Sequence, residues 1–162
     1  MKMQHEHQEH KMASGKMYKK FALMIVLSFI AMYIFMYAMV DTFSDVVSNV
    51  NQFYMAALMT MPMVLLELTI MGGMYPKKKF NIVIIATGFI ALIGFFFCIR
   101  QQVAVGDKQF LKSMIPHHGA AILMVEKASL NDPEIKKLAQ DIITAQQQEI
   151  AQMKAKLKEL EK

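Results

Sequence analysis

The sequence predicts an all-α protein: three transmembrane helices followed by an extracytoplasmic helical hairpin that dimerises into a four-helix bundle. Three observations predict it. Three long apolar runs occupy the first hundred residues. The basic residues fall on alternate sides of those runs. The last sixty residues change to a charged pattern with helix caps and an apolar seam. Over half of the 162 residues are hydrophobic (55%), too many for an ordinary soluble domain.

Residues 1–16 are polar, with His5, His7 and His10 among Met1, Met3 and Met12. This composition predicts a disordered cytoplasmic tail that either binds metal loosely or is simply solvated. The first apolar run, about Phe21 to Val40, carries no charge. It is too long for a signal peptide, and Asp41-Thr42-Phe43 is no small-residue cleavage site. The second run, about Phe53 to Met74, contains Pro62 and Glu67 and ends in the turn signals Gly72-Gly73 and Tyr75-Pro76. The third runs from about Phe80 to Ile99. Each is long enough to cross roughly 30 Å of hydrocarbon.

Lys16, Lys19 and Lys20 precede the first run and Lys77, Lys78 and Lys79 precede the third. The loop between the first two has only Asp41 and Asp45. Positive residues stay inside. The N-terminus and the Lys77–Lys79 loop are therefore expected in the cytoplasm, and everything after Arg100 outside. The expected location is a bacterial cytoplasmic membrane, the lipid bilayer being the first partner. The net charge of +5 does not indicate nucleic acid, because much of it flanks the apolar runs and no aromatic-basic platform accompanies it. The lone Cys98 lies inside an apolar run and excludes an intramolecular disulfide.

In residues 101–162, Gly106-Asp107 is a break and a plausible cap for a helix from about Lys108 to Leu130. Asn131-Asp132-Pro133-Glu134 is a stronger start: Asp at the cap, Pro at the first helical position, Glu in the first turn. The second helix is expected to reach Leu160, with an apolar seam through Ala139, Ile143, Gln146, Ile150, Met153, Leu157 and Leu160. Two helices bury little core by themselves. A second copy is expected to supply the other pair of a four-helix bundle.

Methionine is unusually abundant, 17 residues in all. In membrane helices this is often flexible packing. Beside His117-His118 it suggests more. At about 100° per residue, with His117 at zero, Met114 falls at about 60°, His118 at about 100°, Ala121 at about 40° and Met124 at about −20°. Met114, His117 and Met124 share a stripe, with His118 on its shoulder. Both histidines reach one ion only if the helix is distorted, for which Pro116 is placed; otherwise they serve two ions. On the second helix Glu149 and Met153 form an i,i+4 pair, and Gln146 is a polar seam residue that needs a partner. The metal residues expected are thus Met114, His117, His118, Met124, Glu149 and Met153, with Gln146 in support. Glu149 is either a direct ligand or a partner orienting a histidine. Thioether with imidazole suits Cu(I); His and Glu alone would suit zinc, which is the lesser expectation.

The run Asp107-Lys-Gln-Phe110 to Met114-Ile-Pro-His117-His118 and Met124, followed by Gln146-Gln-Gln-Glu149-Ile150-Ala-Gln-Met153, resembles the family of domains of unknown function DUF305 over about residues 105–160. The resemblance implies a ferritin-like helical bundle and membership beside extracytoplasmic copper-binding proteins, with Met-x-x-His-His at Met114, His117 and His118. Many members carry an acidic residue after the histidine pair; this chain has Gly119, which weakens one expected contact to the site.

Met55, Met59, Met63, Glu67 and Met71 recur every four residues in the second run. A carboxylate inside a membrane helix points to function. This stripe resembles Met-x-x-x-Met of Ctr-type copper transporters, although the orientation is opposite and the third run has Gly88 and Gly94 in place of Gly-x-x-x-Gly. No nucleophile–base pair, phosphate loop or nucleotide motif is present, so no enzyme is expected. The sequence therefore predicts a membrane-anchored protein that handles Cu(I) outside the cytoplasm for sequestration, delivery or tolerance, with a copper donor or acceptor protein as a further partner. The alternatives are a metal permease and a helical assembly module without metal.

Overall fold

The computed structural model describes the backbone from Lys2 to Lys162 and the side chains from residue 15 onward. The side chains of His5, His7, His10, Met3 and Met12, and all of Met1, lie outside the described residues. Five α-helices follow in order: α1 (Lys2–Phe35), α2 (Val50–Ile70), α3 (Lys78–Arg100), α4 (Asp107–Lys127) and α5 (Pro133–Leu160). Three short 3-10 turns, Met36–Met39, Phe43–Asp45 and Gly72–Met74, join them, and the described residues contain no strand. Gly15–Met39, Val50–Ile70 and Lys78–Arg100 are long and apolar enough to cross a membrane. Dimerisation into a bundle is not part of this single chain.

Helix ends follow local chemistry. Asn49 starts α2: its side-chain oxygen accepts from the Gln52 N–H at 2.8 Å, so the helix opens earlier than the apolar run suggests. The helix stops at Ile70, ahead of Gly72-Gly73. The Asp132 carboxylate accepts from the Glu134 and Ile135 N–H groups at 2.8 and 3.0 Å, with Pro133 at the first helical position. Asp107 is the first residue of α4 rather than its cap; Gly106 stands at the cap and gives no side-chain bond.

The chain divides into two compact units. The first combines residues 1–33 and 54–101, the second residues 34–53 and 102–162. In the first, Phe21, Val64, Leu68 and Tyr75 form a small core. Gly88 of α3 brings α2 close, since a Cβ there would lie 3.2 Å from Leu65 Cδ2. In the second, α4 packs along α5 and against both 3-10 turns of the 34–53 segment. Its core is Ile115, Ile122 and Ile150, with Val47, Met153 and Leu157 against it.

The hairpin therefore obtains part of its cover from its own chain. The 34–53 segment docks on the backbone of α4 at Gly119. The Asp41 N–H donates to the Gly119 carbonyl at 3.3 Å, and a Cβ at Gly119 would lie 3.2 Å from Val40 Cγ1 and 3.4 Å from Asp45 Cβ. Asp45 is buried and pairs with the Lys154 ammonium of α5, which also donates to Ser44 Oγ at 3.1 Å. Buried charge without a partner is costly. In Lys154→Met the Asp45 carboxylate loses its counter-charge, at a cost of about 1–3 kcal/mol. In Gly119→Glu a second carboxylate enters beside Asp45. Both variants are expected to release residues 41–49, read as faster proteolysis of that loop than in the wild type.

Candidate metal site

Ile115 and Ile122 fix the rotation of α4, because they enter the core of the second unit. His118 lies between them on the helix and turns toward α5. Its ring is buried, with 8% of the residue exposed. Its Nε2 stands 2.7 Å from Glu149 Oε2. A carboxylate accepts, so Nε2 carries a proton, and in the neutral imidazole Nδ1 presents its lone pair. That Nδ1 is buried and has no hydrogen-bond partner, and the same is true of Gln146 Oε1 on α5. The carboxylate–imidazole pair is the arrangement that orients a histidine for metal. Glu149 thus holds the His118 ring in one orientation.

Met153, the thioether of α5, packs on the same core as Ile115 and Ile150. Met114 is half-buried. It lies about 40° from His118 and about 60° from His117 round α4, so it serves either ring. His117 and Met124 do not join this group: His117 is exposed and Met124 is 53% exposed. The two imidazoles diverge, with ring centroids 6.1 Å apart and planes at 60°. Among the described residues no three His, Cys, Asp or Glu side chains converge as a metal group. The contact one chain makes is thus His118 with Glu149; Gln146 and Met153 share α5 with Glu149, and Met114 shares α4 with His118. The predicted line Met114–His117–Met124 is present but faces away from α5.

Sequence reading assigned no role here to Asp41, Asp45 or Lys154. Their contacts join residues far apart in the chain, and only Gly119, a small residue beside the histidine pair, marks the docking point.

In the first unit, α2 buries Ala56, Ala57, Thr60, Val64 and Leu68. The methionine stripe lies beside this face: Met55 and Met63 are half-buried, while Met59 and Met71 are exposed. Glu67 accepts from the Tyr75 hydroxyl at 2.8 Å. Asn81 donates to the Tyr75 carbonyl at 3.0 Å and accepts from the Tyr18 hydroxyl at 2.6 Å. Glu67 therefore ends a polar knot that fastens the α2–α3 turn. Burial, then the Glu67 hydrogen bond and charge, push the Tyr75 hydroxyl up from 10.0 to about 12. Its proton is held more tightly in the folded chain, so this stability is complete below pH 10.0 and lost as pH rises through about 12. An absorbance titration is expected to show one of the five tyrosines ionising last, a step that Tyr75→Phe removes.

Comparison with known proteins finds a family match on α4 and α5. Residues 99–158 match the family model "Domain of unknown function (DUF305)". The chain is also similar to "Uncharacterized protein L153" of Acanthamoeba polyphaga mimivirus, 38% identical over 141 residues, which is 85% of this chain and 90% of that protein. That likeness is longer than the 99–158 match and extends into the apolar helices. No solved structure matches. The family match on α4 and α5, with a relative that spans nearly the whole chain, shows that this protein belongs to the DUF305 family.

Proposed function

We propose that the protein is a membrane-anchored copper-binding protein that holds Cu(I) outside the cytoplasm, for sequestration, delivery or tolerance. One observation carries the reading: a buried imidazole, oriented by a carboxylate at 2.7 Å, keeps its second nitrogen without a partner. An unsatisfied buried acceptor costs about 1–3 kcal/mol. A metal ion removes that cost, and thioethers on both helices make the metal soft. His118 is the anchoring ligand, with Met153 as its thioether and Met114 on the shoulder between the two histidines. Glu149 fixes the tautomer and Gln146 lies one turn away. Zinc is the lesser candidate.

The anchor is the three apolar helices in a bacterial cytoplasmic membrane, with the N-terminus and the Lys77–Lys79 loop inside. The second unit supports this topology. Residues 34–53 and 102–162 share it, and the lysine pattern assigns both segments to the outer side. The protein has no catalytic role in this reading. A copper donor or acceptor protein is its exchange partner. The permease reading has less support, because Glu67 is engaged by Tyr75 and Met59 turns away from the buried face of α2.

The test is a Cu(I) titration of the full chain in detergent against a competing chelator. His118→Ala is expected to lose one copper per chain. Glu149→Gln keeps the fold and weakens that copper about 10- to 100-fold. Equal binding by wild type and His118→Ala would sink the proposal, and a preference for zinc in the same assay would replace the metal. The 34–53 segment belongs to the unit, so the excised hairpin is expected to bind more weakly than the full chain.

A further inference from the structure

Helix α4 carries two adjacent seams. One, with Ile115, His118 and Ile122, meets α5. The other is Phe110, Met114, His117, Ala121 and Met124, spaced four-three-four-three, the spacing of a helix that packs against a parallel partner helix. Among the described residues it is largely open. Phe110 and Met124 are each 53% exposed and His117 is exposed, while Met114 and Ala121 are half-buried.

We propose that a second copy of this chain docks on this seam, α4 against α4, and that the two Met114–His117 pairs form one shared soft-metal site of two imidazoles and two thioethers. The inference rests on the metal-binding reading above and adds its partner. Three arguments choose a second copy. The seam continues the α4–α5 interface, so filling it turns a hairpin into half of a four-helix bundle. The 34–53 segment occupies the Gly119 side of α4, about 160° from His117, so that side is closed to a partner and the seam is open. Copies in one membrane enter it the same way round, and a two-fold axis between them sets corresponding residues of the two α4 helices face to face. Ala121 at the centre permits the close approach, about 8–10 Å between axes, that such packing uses.

The ligand geometry agrees. Met114 and His117 are three residues apart, about 4.5 Å along the axis, so both side chains reach one point beyond the helix surface. His117 and Met124 are about 10.5 Å apart and do not reach one ion. One chain therefore offers two ligands on this face, and a four-coordinate site is complete only with the second copy. Met124, with the exposed Ile135 and Leu138 of α5, serves as apolar contact at the far end of the hairpin. The adjacent histidines then have separate duties: His118 holds an ion within a chain, and His117 shares one between chains.

The experiment uses the full chain in lipid nanodiscs with Cys98→Ser. Single cysteines are placed by Ala121→Cys, Met124→Cys and, as a control on the far side of α4, Glu126→Cys. Ag(I), a redox-inert soft cation, is titrated in a His118→Ala background. The two seam cysteines are expected to cross-link between chains at least about tenfold faster than the control. The His118→Ala chain is expected to keep one Ag(I) per two chains, and adding His117→Ala weakens it at least about tenfold, the lower end of the loss seen when even a ligand's supporting partner is removed. Met114→Leu keeps the seam apolar, so it weakens Ag(I) while cross-linking persists. Seam cysteines no faster than the control overturn the docking and leave the His118 reading intact. Cross-linking with no Ag(I), or with one Ag(I) for every chain, overturns the shared site. Loss of Ag(I) from the wild type as well defeats the metal reading itself.

Discussion

Burial of the Asp45 carboxylate is the constraint on which the second unit depends. A charge removed from water must be matched nearby, and Lys154 on α5 is its match. The pair can form only if the 34–53 segment lies flat on α4. Glycine at position 119 favours this, because a Cβ there would lie 3.2 Å from Val40 Cγ1 and push it outward by a few tenths of an ångström. Glycine at 119 also leaves the carbonyl open to Asp41. With the segment in place, Val47 enters the Ile115–Ile122–Ile150 core. That core sets the rotation of α4 and so decides which histidine is buried. A loop joining two apolar helices thereby determines the chemistry of a site on a third.

This accounts for what the sequence disclosed and what it hid. The helices α4 and α5, the Asp132–Pro133 start and the α5 seam are local signals written in caps and spacing, and the structure has them within a few residues. The three apolar helices follow from composition. The pairing of His118 rather than His117 with Glu149 was less legible. Methionine–histidine chemistry drew attention to the stripe of His117, while Ile115 and Ile122, two turns apart, marked the buried side. The role of Gly119 was not legible. Beside the histidine pair it suggested a missing acidic contact, whereas its function is steric and its partner lies about 75–80 residues earlier. Non-local pairing leaves no period in a sequence.

The two polar groups inside the chain's apolar regions illustrate different solutions to burial. Glu67 is satisfied by Tyr75, and the Tyr18–Asn81–Tyr75 bonds continue the chain of donors and acceptors. Each group has a protein partner and the knot is structural. His118 is satisfied at one nitrogen only, and Gln146 has an oxygen without a donor. Buried polar atoms are almost always paired. His118 Nδ1 and Gln146 Oε1, on facing helices, lack that pairing.

The second unit is discontinuous in the chain, and this gives its assembly an order in time. Residues 34–53 are made early, between the first and second apolar helices, yet every partner they need on α4 and α5 emerges only after α3. During synthesis Asp45 has no Lys154 and Val47 no isoleucine core. The segment must wait, solvated, until the last sixty residues arrive, and closure over so long a separation is slow compared with helix formation. Synthesis of α2 and α3 thus precedes completion of the second unit. A chain stalled before α5 would present a bare loop and a half-formed helix, the kind of surface that quality control recognises, rather than a prematurely closed unit.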